Sequence, residues 1–383
     1  MVSEAANQRG GESARQRIGE TAKRRSNESA QRLDAPIRPR RRLWRRHQSL
    51  LYALHPDRLP AASLRFTYTF GLGGLAFLAA LIAIGTGVLL TFYYVPTPDQ
   101  AHASVVLIED VVAWGSLVRA LHYWSAQVAV VAATLHMARV VFTGAYARPR
   151  RFNWLIGLGL LVLLLLWDFS GYVLRWDEGA YWALLVGAAL IQEIPFVGPS
   201  LYLALVGDTT VGAAALLRFS VWHIIGLTLV VGFGVAYHLF RLQVDGGISR
   251  PPRPPGQPRL LASKDDLIRV EAIATLIAVS GLIALAALAP APLGPAADLA
   301  RPPADVRAPW IFLWVQRLLR WIDPVWAGVA LPALLLLFLA TLPWLDAHAR
   351  AGVWFHPRQR AAHTAFLLLA LALVALSLWE ALS

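Results

Sequence analysis

Four histidines in two apolar stretches are the residues of this chain best placed to do chemistry. His122 and His136 lie 14 residues apart, and His223 and His238 lie 15 apart. At about 100° per residue, either separation returns within about 40–60° of its starting direction, so each helix shows both histidines on one face. Imidazole nitrogen is a common ligand of transition metals. Because the chain has no cysteine, any metal chemistry falls to histidine or carboxylate.

The elements that carry these histidines are predicted to be membrane helices. Hydrophobic residues make up 57% of the 383 residues and charged residues 15%, more apolar side chain than a soluble core could bury. A transmembrane helix needs about 20 mostly apolar residues. Seven candidates occur, at 67–94, 112–142, 154–174, 212–241, 270–289, 324–344 and 361–381. The expected fold class is therefore an all-α integral membrane protein, a transmembrane helical bundle of seven spans.

Charge predicts the orientation of these spans. The links after the second, fourth and sixth spans are rich in arginine, as is the segment Arg38 to Arg46 before the first span. We expect these parts on the cytoplasmic side of a bacterial plasma membrane. The loop 290–323 is an exception, because it carries arginines on the outer side. Within it, the stretch Trp310 to Trp321 has the pattern of an amphipathic helix lying in the membrane interface.

In this orientation the second and fourth spans run parallel, so His122 comes level with His223 and His136 with His238. A rise of 1.5 Å per residue separates the two levels by about 21 Å. A lone intramembrane histidine is most simply explained by a hydrogen bond to a neighbouring helix. Four at matched depths favour two low-spin haems in the four-helix bundle of the first four spans, each held by two imidazoles. A di-metal carboxylate centre is disfavoured, because no Asp or Glu lies beside these histidines.

The surroundings of the histidines agree with two haems. An arginine lies three to five residues toward a membrane surface from each histidine, where it could pair with an anionic haem propionate or reach the lipid headgroups. These are Arg119, Arg139, Arg218 and Arg241. Glycines again 14 residues apart occur in the first and third spans, where a missing Cβ would let a flat macrocycle lie against the backbone. They are Gly73, Gly87, Gly157 and Gly171, although glycine is also common in membrane helices in general.

Composition divides the chain into four expected regions. Residues 1–48 read as a disordered, Arg-rich cytoplasmic arm, since residues 1 to 50 hold 13 Lys/Arg against 5 Asp/Glu. Such an arm is suited to anionic lipid headgroups, which we favour over nucleic acid. Residues 49–249 form the four-span di-haem domain, and 250–269 a Pro-rich cytoplasmic linker. Residues 270–383 form a three-span C-terminal domain.

The sequence resembles cytochrome b of the quinol–cytochrome c reductases, in particular the chloroplast-type form. The segments that carry the resemblance are TGVLLTFYYVPTPDQAHASV (86–105), WGSLVRALHYWSA (114–126), FTGAYARPRR (142–151), GYVLRWDEGAYWA (171–183), IPFVGPSL (194–201), RFSVWH (218–223) and YHLFRLQVDGGISRPP (237–252). The 15-residue histidine spacing in the fourth span also resembles that form. Residues 288–345 are similar to its separate three-span subunit, here fused behind the linker.

The resemblance implies a ligand set and a reaction. His122 and His223 would ligate an outer haem b, and His136 and His238 an inner one. Quinol would be oxidised at the outer side, with one electron passing to a Rieske iron–sulfur protein and on to a c-type cytochrome or similar acceptor. The other would pass through both haems to quinone near the cytoplasmic face. The resemblance also implies a homodimer.

Two departures from the family pattern bear on these expectations. Where the family has Pro-Glu-Trp-Tyr at its quinol-oxidising pocket, this chain has Ala308-Pro309-Trp310-Ile311, so the glutamate suited to accept a quinol proton is gone. We expect Pro309 and Trp310 to line the outer quinol site, with Asp305, Glu193 or a water chain replacing the glutamate. Gly71 stands where the chloroplast type has a haem-attaching cysteine, which excludes a covalent third haem.

Several choices stay open at this point. Arg241, Gln243 and Asp245 are suited either to a quinone-reducing pocket or simply to a polar membrane surface. The remaining histidines are interpreted as solvated residues rather than ligands; they are His47, His55, His102, His348, His356 and His363. The same haem pair could also serve a complex without a Rieske-coupled split of electrons. A transporter with proton-relaying histidines is the hypothesis from a different class.

Overall fold

The computed structural model describes residues 58–250, 256, 261–298, 306–346 and 349–383. The predicted arm 1–48, most of the Pro-rich stretch 251–258 and the candidate Asp305 lie outside the described residues, as do His47, His55 and His348.

Seven helices within the described residues are long and apolar enough to cross a membrane, which confirms the predicted fold class. They are α1 (Leu72–Leu90), α3 (Gly115–Phe142), α4 (Arg151–Val173), α7 (Ala213–Val244), α8 (Lys264–Leu288), α10 (Val325–Leu345) and α11 (Arg360–Leu382, after a 3-10 turn Pro357–Gln359). Large apolar side chains are exposed along all of them. Such side chains need lipid as their solvent.

Shorter elements connect the spans. They are β1 (Arg58–Pro60), 3-10 turns at Ala61–Leu64 and Trp310–Phe312, a helical turn at Phe66–Thr69, α2 (Ala101–Asp110), α5 (Glu178–Gln192), α6 (Gly198–Val206), β2 (Leu261–Ser263) and α9 (Leu313–Leu319). β1 and β2 pair antiparallel, so the chain just before the first span meets the end of the predicted linker. A capping box at Ser263 starts α8 directly after β2, earlier than the expected residue 270.

The histidine-bearing helices pack in a simple order. α3 contacts both α1 and α4, and α4 contacts α7. Small side chains such as Ala79, Ala83 and Ala129 are buried in this part of the molecule. Such residues let helix backbones approach closely in a membrane, where van der Waals packing drives association.

A π-helical turn, Trp222–Leu227, interrupts α7 directly at His223. The Thr228 hydroxyl donates to the His223 carbonyl at 2.8 Å, five residues back along the chain. A π-turn inserts one extra residue into a helix. The 15-residue spacing from His223 to His238 therefore matches the rotation that 14 residues give in α3. The unequal spacings in the sequence describe equivalent geometry.

The loop after α8 attaches the C-terminal spans to the bundle, and a salt bridge holds two C-terminal helices together. The Trp124 indole donates to the Ala289 carbonyl at 2.7 Å, and the Asp177 carboxylate accepts from the Gly294 amide at 3.0 Å. Near the chain end, Arg320 bonds the buried Glu380 carboxylate at 2.7 Å, with Arg317 at 3.5 Å. These two contacts with Glu380 anchor α9 against α11, and α9 lies within the predicted amphipathic stretch.

Candidate haem-binding sites

The four predicted glycines each lie against one of the four histidines. A Cβ on Gly171 would come within 2.6 Å of His223 Cε1, and one on Gly87 within 2.9 Å of His122 Cε1. The equivalent distance is 3.1 Å from Gly73 to His136 and 3.2 Å from Gly157 to His238. Real Cβ atoms essentially never come as close as the first two distances, and the last two are tighter than nearly all real Cβ contacts. An imidazole ring thus lies beside each of these glycines, which were expected to face a macrocycle.

His122 and His223 face each other across the bundle. Their ring centres are 6.2 Å apart and their planes are inclined by 76°. Metal–imidazole bonds of about 2 Å on each side, with about 1.1 Å from each nitrogen to its ring centre, would separate two axial rings by about 6 Å. The gap between His122 and His223 therefore fits one metal held axially between two imidazoles.

Hydrogen bonds fix the tautomer of this first pair. His122 Nδ1 lies 2.8 Å from the Ala83 carbonyl, and His223 Nδ1 lies 3.1 Å from the Trp167 carbonyl. A carbonyl only accepts, so Nδ1 carries the proton and Nε2 keeps the lone pair that a metal needs. The Thr86 and Ser170 hydroxyls lie 3.3 and 3.0 Å from the same two nitrogens. Both rings are thus held in the form and orientation of a ligand.

His136 and His238 form a second pair at the other end of the same helices. His238 is close enough to His136 to act on it electrostatically, and His238 Nδ1 is buried without a hydrogen-bond partner in the described chain. Arg139 lies one turn beyond His136, where its Nε donates to the Tyr68 carbonyl at 3.1 Å and its guanidinium stacks on the Tyr68 ring. Arg139 Nη2 is buried and has no hydrogen-bond partner among the described residues. An unpartnered buried guanidinium nitrogen fits an anionic group such as a haem propionate.

The other three predicted arginines have partners within the protein. Arg119 binds Glu109 and donates to the Ala291 and Pro292 carbonyls. Arg218 donates to the carbonyls of Leu203 and Ala204 at 2.7 Å, at the end of α6. These contacts account for Arg218 without a propionate, because a C-terminal helix end attracts a cation by itself. Arg241 pairs with Asp245 at 2.8 Å.

Asp245 directly follows α7, beyond His238. Its carboxyl is buried at 6% exposure, and Oδ2 has no hydrogen-bond partner in the described chain. Burial raises the pKa of Asp245, although the nearby Arg241 and Arg150 oppose that rise. This carboxyl is therefore not an exposed surface group, and it lies with Arg241 at the end of the bundle that carries the 136/238 pair.

The predicted outer quinol residues are only partly brought together. Trp310 directly follows Pro309 at the start of a 3-10 turn, and its indole N–H donates to the Gln127 side-chain oxygen of α3 at 2.6 Å. Gln127 in turn donates to Asp168 of α4 at 2.9 Å. Glu193 is exposed at the end of α5, and no hydrogen bond joins it to this group in the described chain. Sequence reasoning missed Asp168 and Gln127, although a carboxyl inside the span 154–174 was a visible signal.

Two of the remaining histidines differ from the solvated residues that were expected. His102 Nε2 lies 2.9 Å from the Gly294 carbonyl. His363 is only 7% exposed and packs against the rings of Phe142 and Phe355. His356 caps the turn that precedes α11 by accepting from the Arg358 amide. Within the described residues, no group of three or more His, Asp or Glu side chains could hold a further metal ion.

Comparisons with known proteins agree with this geometry. Residues 59–246 match the family model for cytochrome b/b6/petB, and residues 296–381 match that for cytochrome b(C-terminal)/b6/petD. The cytochrome b6 of Heliobacterium modesticaldum is 42% identical over 200 residues, covering 52% of this chain and 91% of that protein. The menaquinol:cytochrome c reductase cytochrome b subunit of Geobacillus thermodenitrificans is 38% identical over 187 residues, covering 49% and 82%.

The fold is also similar to a solved structure. A chain of a hyperthermophilic respiratory Complex III superposes with a TM-score of 0.76 at 23% identity, covering 88% of this chain and 90% of that one. The family-model matches and the relatives, together with the seven spans, define a class: a multi-pass membrane protein that binds haem and transfers electrons. Within that class, the chain belongs to the cytochrome b/b6 family.

Proposed function

We propose that this chain holds two b-type haems and carries electrons across the membrane from quinol at the 122/223 end to quinone at the 136/238 end. His122 and His223 would hold the iron of the first haem, and His136 and His238 that of the second. A bound haem supplies reversible one-electron transfer there. The 6.2 Å between the His122 and His223 ring centres is the observation that carries this proposal.

Several residues of the chain hold the four histidines in position to bind haem iron. The Ala83 and Trp167 carbonyls keep the first two imidazoles in the metal-binding tautomer. The four glycines let the ligand helices approach α1 and α4 closely. Arg139 offers a buried donor to a propionate beside the second pair. The site is thus preorganised on rigid helices rather than on loops.

Asp245 and Arg241 serve the quinone-reducing pocket in this proposal. A carboxyl whose burial raises its pKa holds a proton longer as the pH rises, so Asp245 is suited to give a proton to a reduced quinone. Arg241 fixes the position of that carboxyl through the 2.8 Å ion pair.

The partners follow from the same reaction. A Rieske iron–sulfur protein takes one electron from quinol and passes it to a c-type cytochrome or similar acceptor, within a homodimeric complex. The 122/223 end faces outward and the N-terminus faces the cytoplasm of a bacterial plasma membrane, as the arginine-rich links indicate. The exposed apolar side chains of the spans contact lipid.

The complex purified from its native membranes tests the proposal. We expect two b-type haems per chain, a Rieske protein in the same preparation, and reduction of b haem on adding a short-chain quinol. An inhibitor of the outer quinol pocket should block that reduction. A preparation with two haems but no iron–sulfur partner and no such inhibition would favour a modified complex without split electron transfer. Fewer than two haems would contradict the ligand assignment.

A further inference from the structure

Asp168 is a carboxyl inside the membrane. It lies in α4, close to the end of that helix at Val173, and is the one Asp or Glu in α1, α3, α4 and α7. Ionisable groups are rare in membrane helices because hydrocarbon does not solvate them, and those that occur have a partner or a function. Gly171, which contacts His223, follows Asp168 by less than one turn. Asp168 therefore belongs to the 122/223 end of the bundle.

Three separate parts of the chain meet at this carboxyl. Gln127 of α3 donates to Asp168 Oδ1 at 2.9 Å, and Trp310 donates to the Gln127 side-chain oxygen at 2.6 Å. Phe169, the next residue of α4, packs edge-on against Phe312 with ring centres 5.6 Å apart. The segment that replaces the family's Pro-Glu-Trp-Tyr motif is thus connected to Asp168 through the side chain of Gln127.

Comparison with Glu380, another intramembrane carboxyl, shows what is unusual about Asp168. Glu380 is 2% exposed and is bonded by Arg317 and Arg320, so taking up a proton would break two ion pairs. Asp168 has no cation within ion-pair distance in the described structure, and its Oδ2 makes no hydrogen bond there. The groups that act on it at longer range are Tyr123 of α3 and Arg175 beyond the end of α4. Protonation of Asp168 therefore breaks no ion pair.

We propose that Asp168 accepts a proton from quinol at the 122/223 end, in place of the glutamate that is absent beside Trp310. This inference rests on the proposed function. The O–H bond of the quinol breaks and an O–H bond forms on Asp168, so that both electrons of the broken bond stay on the quinol oxygen as quinolate. The quinolate then gives up its electrons one at a time to the one-electron acceptors of the proposed complex. The proton is released to water beyond the end of α4, near Arg175, whose guanidinium donates to the Pro292 carbonyl. Gln127 and Trp310 position the carboxylate.

Four variants of the whole complex test Asp168. Asp168→Asn keeps an oxygen for Gln127 but cannot take a proton, and Asp168→Glu keeps the carboxylate. Glu193→Gln tests the alternative carboxylate, and Asp110→Asn, at the exposed end of α2, is the matched control. The rate of b-haem reduction by a short-chain naphthoquinol or benzoquinol is measured across a pH series. Haem content is read from the dithionite-reduced spectrum.

We expect Asp168→Asn to lower the rate by about 100-fold or more, the range of general-base contributions, and to remove its rise with pH. Asp168→Glu should keep the pH dependence and about a tenth of the rate or more, and haem content should match Asp110→Asn throughout. An Asp168→Asn complex with the rate and pH profile of the unaltered one would overturn the inference, as would a loss confined to Glu193→Gln. A rate loss with an unchanged pH profile would also overturn it, since it would show a positioning role only. If the unaltered complex is not reduced by quinol, the proposed function itself fails, and the inference fails with it.

Discussion

The two histidine pairs use the same parts, yet their surroundings differ. At the 122/223 pair, carbonyls and hydroxyls contact both Nδ1 atoms, and the nearby Arg119 and Arg218 are engaged with other parts of the protein. At the 136/238 pair, Arg139 keeps one buried guanidinium nitrogen without a partner in the described chain. At the first pair, hydrogen bonds therefore hold the imidazole rings themselves in position. The second has an anion-binding group beside it.

The contacts of the histidines with the neighbouring helices also differ between the two pairs. Both glycines at the 122/223 pair lie closer to their histidines than the two at the 136/238 pair do. The π-turn in α7 also begins at Trp222, directly before His223. π-turns inside α-helices are frequent at functional sites. We infer that the 122/223 level has less freedom to move, which suits the proposed start of electron transfer at that end.

Removing a ligand gives the largest expected effect. His122→Leu and His136→Leu should each lower haem from two per chain to about one, because a single imidazole does not replace the lost axial bond. The haem left in each variant should belong to the unaltered pair, as shown by its reduced absorbance band and redox titration. The matched control is His356→Leu, which alters a histidine that only caps a turn. Unchanged haem content in either ligand variant would contradict the pairing.

Filling the glycine positions should give the next largest effect and would rank the two levels. Overpacking typically destabilises by about 1–3 kcal/mol. A Cβ at Gly171 or Gly87 comes nearer to its histidine than one at Gly73 or Gly157, so haem loss in the alanine variants should follow that order. Gly159→Ala, where a Cβ meets nothing within 4 Å, controls for the general effect of alanine on the helix. The number of haems per chain measures the result. A reversed order would contradict the inference that the 122/223 level has less freedom to move.

The features that the sequence could predict are those that repeat along single helices. Seven apolar spans, four histidines and four glycines at fixed spacings each follow from the length and the period of one helix. The π-turn was not predicted, because a single extra residue in a spacing has no separate composition signal. The hydrogen-bond partners of the arginines could not be predicted from the sequence either. A cation near a helix end suits a propionate, a lipid headgroup or a helix C-terminus equally well by sequence.

The hydrogen-bonded side chains Trp310, Gln127 and Asp168 show even more clearly what the sequence could not predict. Gln127 lies 41 residues from Asp168 and 183 from Trp310, so their contact depends on how α3, α4 and the C-terminal part pack together. Asp168 itself could have been found, since a carboxyl inside a predicted span calls for a partner or a function. The sequence instead directed attention to Glu193 and Asp305. Glu193 is exposed, and Asp305 lies outside the described residues.

Altering the arginines should give the smallest effect and would test whether the two pairs bind their haems differently. Arg139→Gln removes a buried charged donor, and hydrogen bonds to charged groups contribute about 1.5–3 kcal/mol. We expect the haem at the 136/238 pair to transfer about 10-fold or more faster to a scavenging apoprotein, while the other haem is unaffected. Arg218→Gln, which removes contacts only to the end of α6, should leave both haems in place. Arg139→Lys, which keeps the charge, should recover part of the loss. Equal haem transfer from the Arg139→Gln and Arg218→Gln variants would mean that the unpartnered nitrogen of Arg139 does not bind a propionate.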